Sequence, residues 1–179
     1  MIALIGMPGS GKSTVGRYLA RRLGFTFFDT DQEIERRLGC SIRDYFEREG
    51  EQQFRALEET VIDELTAANR FAVISTGGGA VLRPVNRHHL HERTRVIYLH
   101  ALPEDIYRRL RHDTTRPLLQ TANPLERLRS LYAERDPLYR ETAHFVIETG
   151  RPSVATLVNM VVMQLELGSV VPPGDKAHP

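Results

Sequence analysis

Lysine is nearly missing from this chain: of 24 basic side chains in 179 residues, 22 are arginine, and only Lys12 and Lys176 are lysine. Where lysine is this rare, Lys12 is informative. Cysteine is almost absent too. Cys40 alone excludes an internal disulfide framework and a multi-cysteine metal site, and it fits a reducing compartment. No apolar run reaches the length that crosses a bilayer, and the opening MIALIG has neither a basic lead nor a small-residue cleavage site. The expectation is a cytoplasmic protein without a membrane partner. A clustered basic patch is missing as well. Net charge is +1, residues 29–64 carry twelve acidic side chains against five arginines, and the remaining arginines are scattered among acids. That distribution argues against a nucleic-acid partner.

What is present has the balance of one globular domain with a substantial core, 41% hydrophobic and 26% charged. The hydrophobic period alternates between short strand-like runs and longer helical stretches, the pattern of an α/β domain with a parallel sheet. Five strands are expected, at 2–5, 26–28, 72–75, 96–99 and 145–147. Val15, Leu19 and Leu23 mark a first helix that Gly24 ends. Ser41 with Asp44 reads as a helix start, and Gly50 divides that helix from one bearing Phe54, Leu57, Val61 and Leu65. Pro103 and Pro124 open two more, and Val154, Leu157, Val158, Val161 and Leu165 mark the last. The run HHLH at 88–91 reads as a solvated loop or helix face. The domain is expected over 1–167, and the aperiodic tail 168–179 is expected to be disordered.

Residues 6–13 read GMPGSGKS, matching G-x-x-x-x-G-K-[ST] between a strand and a helix. Glycines here let successive backbone N–H groups turn inward around a phosphate at the positive end of a helix. The lysine adds a compact charge, and the serine hydroxyl reaches Mg²⁺. Gly9, Ser10, Gly11, Lys12, Ser13 and Thr14 are therefore candidate ATP-binding residues. Next, FFDTD places Asp29 and Asp31 at the carboxyl end of the second strand, where ligands of parallel sheets gather. On an extended strand end the two point the same way, one toward a Mg²⁺-bound water and one toward an acceptor hydroxyl. The alternative is that Asp31 merely caps the following helix while Asp29 stands solvated beside it.

Taken with EQQFRALEE, STGGGAV, the RPL of Arg116, Pro117 and Leu118, and DPLYR, these motifs make the sequence resemble the shikimate kinase family from Ile2 to about Gln164. The resemblance implies a three-layer α/β/α P-loop kinase fold with a five-stranded parallel sheet, a substrate-binding helical region and a lid at about 112–123. It implies transfer of the γ-phosphoryl of ATP to the 3-hydroxyl of shikimate, with one Mg²⁺ ion, by a monomer. In that reading Asp31, Lys12 and Arg116 are catalytic. Ser13 holds the metal directly and Asp29 holds it through water. Arg55 and Arg140 grip the shikimate carboxylate, and Arg109 and Arg151 flank the adenine. Phe46, Phe54 and Glu58 line the acceptor pocket or orient Arg55, although the aromatics suit a core equally well.

Each arginine also has a plainer reading. Arg55 has Glu58 and Glu59 at i+3 and i+4 for a helix-surface ion pair, Arg116 suits a loop, and Arg140 suits a solvated helix end. The lid stretch RHDTTRPLL lacks the glycines that the family pattern leads one to expect. The triple glycine, Gly77, Gly78 and Gly79, would let backbone approach the shikimate ring where a side chain would collide. On that reading Gly78→Ala harms shikimate affinity more than ATP affinity. Rival readings are a kinase of the same fold acting on gluconate or a nucleotide, and a non-catalytic ATP-binding protein. Against the latter stand the complete Lys12, Ser13, Asp29 and Asp31.

Overall fold

Every residue of the run IALI in β1 (Ile2–Ile5) is buried, because β1 is the middle strand of a parallel sheet covered on both faces. The structure is a computed structural model and describes residues 1–68, 71–112 and 120–168. With β2 (Thr26–Asp29), β3 (Ala72–Ser75), β4 (Arg95–His100) and β5 (Phe145–Glu148), the sheet runs in the order β2-β3-β1-β4-β5, parallel throughout. Ile2 faces Val73 on one side and Arg95 on the other. The five strands fall where the sequence predicts them, three of them longer by a residue or two.

Alternation along the strands sets the layers. Ile2 and Leu4 of β1, with Ile97 and Leu99 of β4, pack against Val15 and Leu19 of α1 (Lys12–Leu23) and Leu157, Val158 and Val161 of α8 (Val154–Leu167). Ala3 and Ile5, with Val96 and Tyr98, face the other way. They meet Ile62 of α4 (Glu51–Ala67), Leu90 of α5 (Pro84–Arg93), Ile106 of α6 (Pro103–Leu110) and Leu128, Leu131 and Tyr139 of α7 (Pro124–Thr142). The fold is thus the expected three-layer α/β/α sandwich. The HHLH run lies on α5.

A smaller cluster carries the helical region beside the sheet edge. Ile34 of α2 (Thr30–Leu38) and Phe54, Val61 and Leu65 of α4 pack on Ile74, with Ile42 and Tyr45 of α3 (Ile42–Glu49) against them. Ser41 caps α3 by accepting from the Asp44 amide at 3.1 Å, as its spacing from Asp44 predicts. Gly50 separates α3 from α4. Of the expected lid and tail, residues 113–119 and 169–179 lie outside the described residues.

Candidate active site

The phosphate loop leaves β1 and enters α1 at the crevice where the chain turns to opposite sides of the sheet, the usual ligand position in such folds. Its shape needs glycine. Gly9 and Gly11 have φ of +80° and +94°, in the left-handed region, and Gly11 is the residue from which α1 starts. Lys12 opens that helix and is buried, and its ammonium donates to the carbonyls of Gly6 at 2.8 Å and Met7 at 2.9 Å. A fixed positive charge and a helix N-terminus therefore face one cavity of about 270 Å³, lined by Gly9, Gly11, Ser13, Thr14, Asp29, Asp31, Thr76, Gly77 and Gly78 among others.

Both aspartates reach this cavity, but by a different geometry from the expected strand end. β2 stops at Asp29, and α2 begins at Thr30, so Asp31 sits in the first helical turn. The cap is Asp29, not Asp31: its Oδ1 accepts from the amides of Asp31 at 3.0 Å and Gln32 at 3.2 Å. The other oxygen of Asp29 accepts from the Ser13 hydroxyl at 2.6 Å. Capping thus fixes a carboxylate beside the phosphate-loop serine and leaves Asp31 free to enter the cavity. Burial raises the Asp31 carboxyl to about 6, helped by the Glu58 and Asp29 carboxylates and opposed by Lys12. Ser13 and Asp29 are hard oxygen donors, suited to a small divalent cation that keeps most of its water. Among the described residues no three His, Cys, Asp or Glu side chains gather into a metal cage. A cation here would therefore share its coordination with phosphate oxygens and water.

The triple glycine follows β3, with the Gly77 amide donating to the Thr30 hydroxyl at 3.1 Å. None of its three residues has a positive φ, so close approach is what calls for glycine here. A β carbon at Gly77 would stand 2.7 Å from Oδ1 of Asp31 and 3.1 Å from Oε2 of Glu58. At Gly78 it would stand 2.7 Å from Pro8 of the phosphate loop, and at Gly79 it would run into the Arg55 guanidinium. The run is thus a hub on which the phosphate loop, the two acids and Arg55 all close.

Arg55 and Glu58 form the expected i,i+3 pair at 2.8 Å, but inside the protein rather than on a helix surface, with side-chain exposures of 11% and 0%. Burial raises the Glu58 carboxyl, against the pull of Arg55 and then Arg135. Arg135 is the site residue that the motifs missed. Its charge also acts on the Tyr139 phenol, one turn on along α7, opposing the rise that burial causes. Three buried polar atoms around this cluster have no hydrogen-bond partner among the described residues: Nε of Arg55, Nε of Arg135 and Oε2 of Glu58. Two spare guanidinium donors beside a spare acceptor suit a ligand that carries both a carboxylate and hydroxyls.

Arg140, expected to grip the shikimate carboxylate with Arg55, is engaged with other partners. It is 49% exposed, its Nε donates to both oxygens of Asp136 at 3.2 and 3.0 Å, and its guanidinium carbon is 5.8 Å from the Tyr98 ring centre. The helical stripe of α7 is the signal that separates the two arginines. Leu128, Leu131, Tyr139 and Thr142 are the buried positions, and Arg135 falls on their line while Arg140 falls beside it. Arg109 donates to the Thr149 carbonyl at 2.6 Å and lines a second cavity of about 310 Å³ with Ser10, Gly11, Thr14, Gly150 and Pro152. Arg151 is exposed and is not among that lining. Phe54 belongs to the core, with Arg55 over its ring at 5.0 Å. Phe46, tilted against it at 5.7 Å, lines a third cavity of about 750 Å³ with Asp31 and Glu35. Arg116 lies outside the described residues.

Known proteins resemble this chain along most of its length. The family model described as shikimate kinase matches residues 8–166. A shikimate kinase of Paracidovorax citrulli is 62% identical over 174 residues, covering 96% of this chain and 95% of that protein. Another, from Ralstonia nicotianae, is 61% identical over 173 residues, covering 96% of this chain and 90% of that one. Among solved structures, the shikimate kinase of Acinetobacter baumannii in complex with shikimate superposes with a TM-score of 0.89 at 44% identity, covering 95% of this chain and 94% of that one.

Proposed function

The chain belongs to the shikimate kinase family, and on that premise we propose that it transfers the γ-phosphoryl of ATP to the 3-hydroxyl of shikimate, giving shikimate 3-phosphate and ADP on the route to chorismate and the aromatic amino acids. One observation carries the reading: the triple glycine brings the phosphate loop, Asp31 and the buried Arg55–Glu58 pair onto a single hub, with the Arg135 charge acting on Glu58. Donor and acceptor sites thus share one wall.

Phosphoryl transfer asks the protein mainly for positioning and charge. The backbone amides from Gly9 to Thr14 would cradle the nucleotide phosphates, with the Lys12 ammonium on the transferring group. Ser13 would hold Mg²⁺ directly and Asp29 would hold it through water, where its charge neutralises phosphate oxygens. Asp31, with a carboxyl raised to about 6, is ionised at neutral pH yet close enough to its midpoint to take the proton of an attacking hydroxyl. Arg55 and Arg135 would grip the acceptor carboxylate, with Arg135 in the role that the motifs gave to Arg140. Arg116, within a lid at about 112–123, would close on the phosphates and act mainly on rate. Arg109 would border the adenine in the second cavity, with a weaker case for Arg151. We place the domain at 1–167 and take the working unit as a cytoplasmic monomer.

A coupled ADP-release assay with shikimate, gluconate and a nucleoside monophosphate tests the proposal. Turnover that depends on shikimate alone is the expected result. Turnover on gluconate or the nucleotide without shikimate-dependent turnover would overturn it.

A further inference from the structure

The turn that follows β5 is built on a single acceptor. Just past the last paired position, His100 with Glu148, the buried Thr149 sends two bonds to the His100 carbonyl, one from its amide at 3.0 Å and one from its hydroxyl at 2.9 Å. The amide bond continues the strand pairing; the hydroxyl bond adds a constraint that pairing does not supply. The His100 ring is itself pinned, with one nitrogen 2.6 Å from the Glu148 carboxylate and the other 2.6 Å from the Tyr132 hydroxyl of α7. On its far side the Thr149 carbonyl accepts from the Arg109 guanidinium at 2.6 Å. Gly150 then passes α6 so closely that a β carbon there would stand 3.2 Å from Oδ2 of Asp105, one helical turn before Arg109. The turn thus meets α6 at two successive positions of one helix face.

The same residues wall the second cavity, where Arg109, Thr149 and Gly150 stand with Pro152 and Leu157 and with Thr14 of the phosphate loop. A planar guanidinium beside apolar side chains suits the flat face of a nucleobase. We propose that Thr149 is a positioning residue for the nucleotide: its hydroxyl, anchored on the His100 carbonyl, sets the carbonyl that holds the Arg109 guanidinium against the base. The inference rests on the reading of the second cavity as the adenine site. Arg109 is exposed on α6, and a long side chain in that position has many rotamers. A fixed acceptor removes part of that freedom before ATP arrives.

Thr149→Val keeps the shape and removes the hydroxyl, while the amide still satisfies the His100 carbonyl, so the variant folds, and a melting curve checks this. Steady-state kinetics on the full chain should show the KM for ATP rising about fivefold, with the KM for shikimate and kcat each within about twofold. Thr149→Ser, which keeps the hydroxyl, should bring the KM for ATP back to within about twofold of wild type. Inhibition by inorganic tripolyphosphate, which offers phosphates without a base, should be alike in all three proteins. In an Arg109→Ala background, whose own KM for ATP should stand about tenfold higher, Thr149→Val should add less than about twofold. A Thr149→Val enzyme with the wild-type KM for ATP, one that loses tripolyphosphate as much as ATP, or a serine variant no better than valine would overturn the proposal and leave Thr149 a strand-end residue. An Arg109→Ala enzyme with an unchanged KM for ATP would instead remove Arg109 from the adenine site, and the proposal with it.

Discussion

Replacing Asp31 by asparagine should make the protein more stable and nearly inactive, with a stability gain that depends on pH in a calculable way. In the folded chain the carboxyl is raised from 3.8 to about 6, chiefly by burial and then by Glu58 and Asp29. Roughly two units at 1.36 kcal/mol each is about 3 kcal/mol. A raised carboxyl keeps its proton longer in the folded chain than in the unfolded one. Its contribution to stability is complete below pH 3.8 and is lost as pH climbs through 6. Asparagine has nearly the same shape and nothing to titrate. Urea unfolding without ligands should therefore show the variant level with wild type near pH 4 and ahead by up to about 3 kcal/mol at pH 7.5. Turnover at pH 7.5 should fall by about two to four orders of magnitude while ATP affinity holds. The wild-type kcat/KM for shikimate should fall along an acid limb with its midpoint near pH 6. A stability difference that is the same at both pH values would refute the claim that the site holds the Asp31 proton. Retained turnover would remove Asp31 from the chemistry.

Three further outcomes follow from the same geometry. Arg135→Ala removes a half-buried cation with a buried Nε and should raise the shikimate KM about ten- to a hundredfold, whereas Arg140→Ala breaks a half-exposed pair with Asp136 and should stay within about threefold, both read by steady-state kinetics. Gly79→Ala pushes on the Arg55 guanidinium and should harm shikimate binding far more than ATP binding, while Gly78→Ala presses on Pro8 and should weaken both, as calorimetric titration with each substrate would show. Chelating divalent cations with EDTA should abolish turnover, and adding Mg²⁺ back should restore it.

Much of this was legible before the fold was seen, because the determining features are local. The phosphate loop is a contiguous backbone shape, so its glycines and Lys12 sit at fixed offsets. The five strands are short apolar runs closed by glycine or polar residues. The acceptor side was harder, since it is assembled from α2, α4, the triple glycine and α7, far apart in sequence. DPLYR carries an arginine at its end and another just before it, and the motif alone points to Arg140. Only the buried stripe through Leu131 and Tyr139 shows that Arg135 is the one turned inward. The aspartates illustrate a subtler limit. Two carboxylates two residues apart suggested a shared strand edge, but the helix starts between them, so the first becomes its cap and the second enters the cavity. Likewise the triple glycine reads as room for a ligand, and the fold adds a second demand, since a β carbon on any of the three would press on Asp31, Pro8 or Arg55.

The central claim is that this site joins the γ-phosphoryl of ATP to one particular hydroxyl of shikimate. Proton-coupled phosphorus NMR of the product from the full chain with shikimate, ATP and Mg²⁺ tests it most directly. The account predicts a single phosphomonoester resonance coupled to the proton on carbon 3, appearing in step with ADP. A phosphomonoester coupled to another ring proton, or ADP accompanied only by inorganic phosphate, would contradict it.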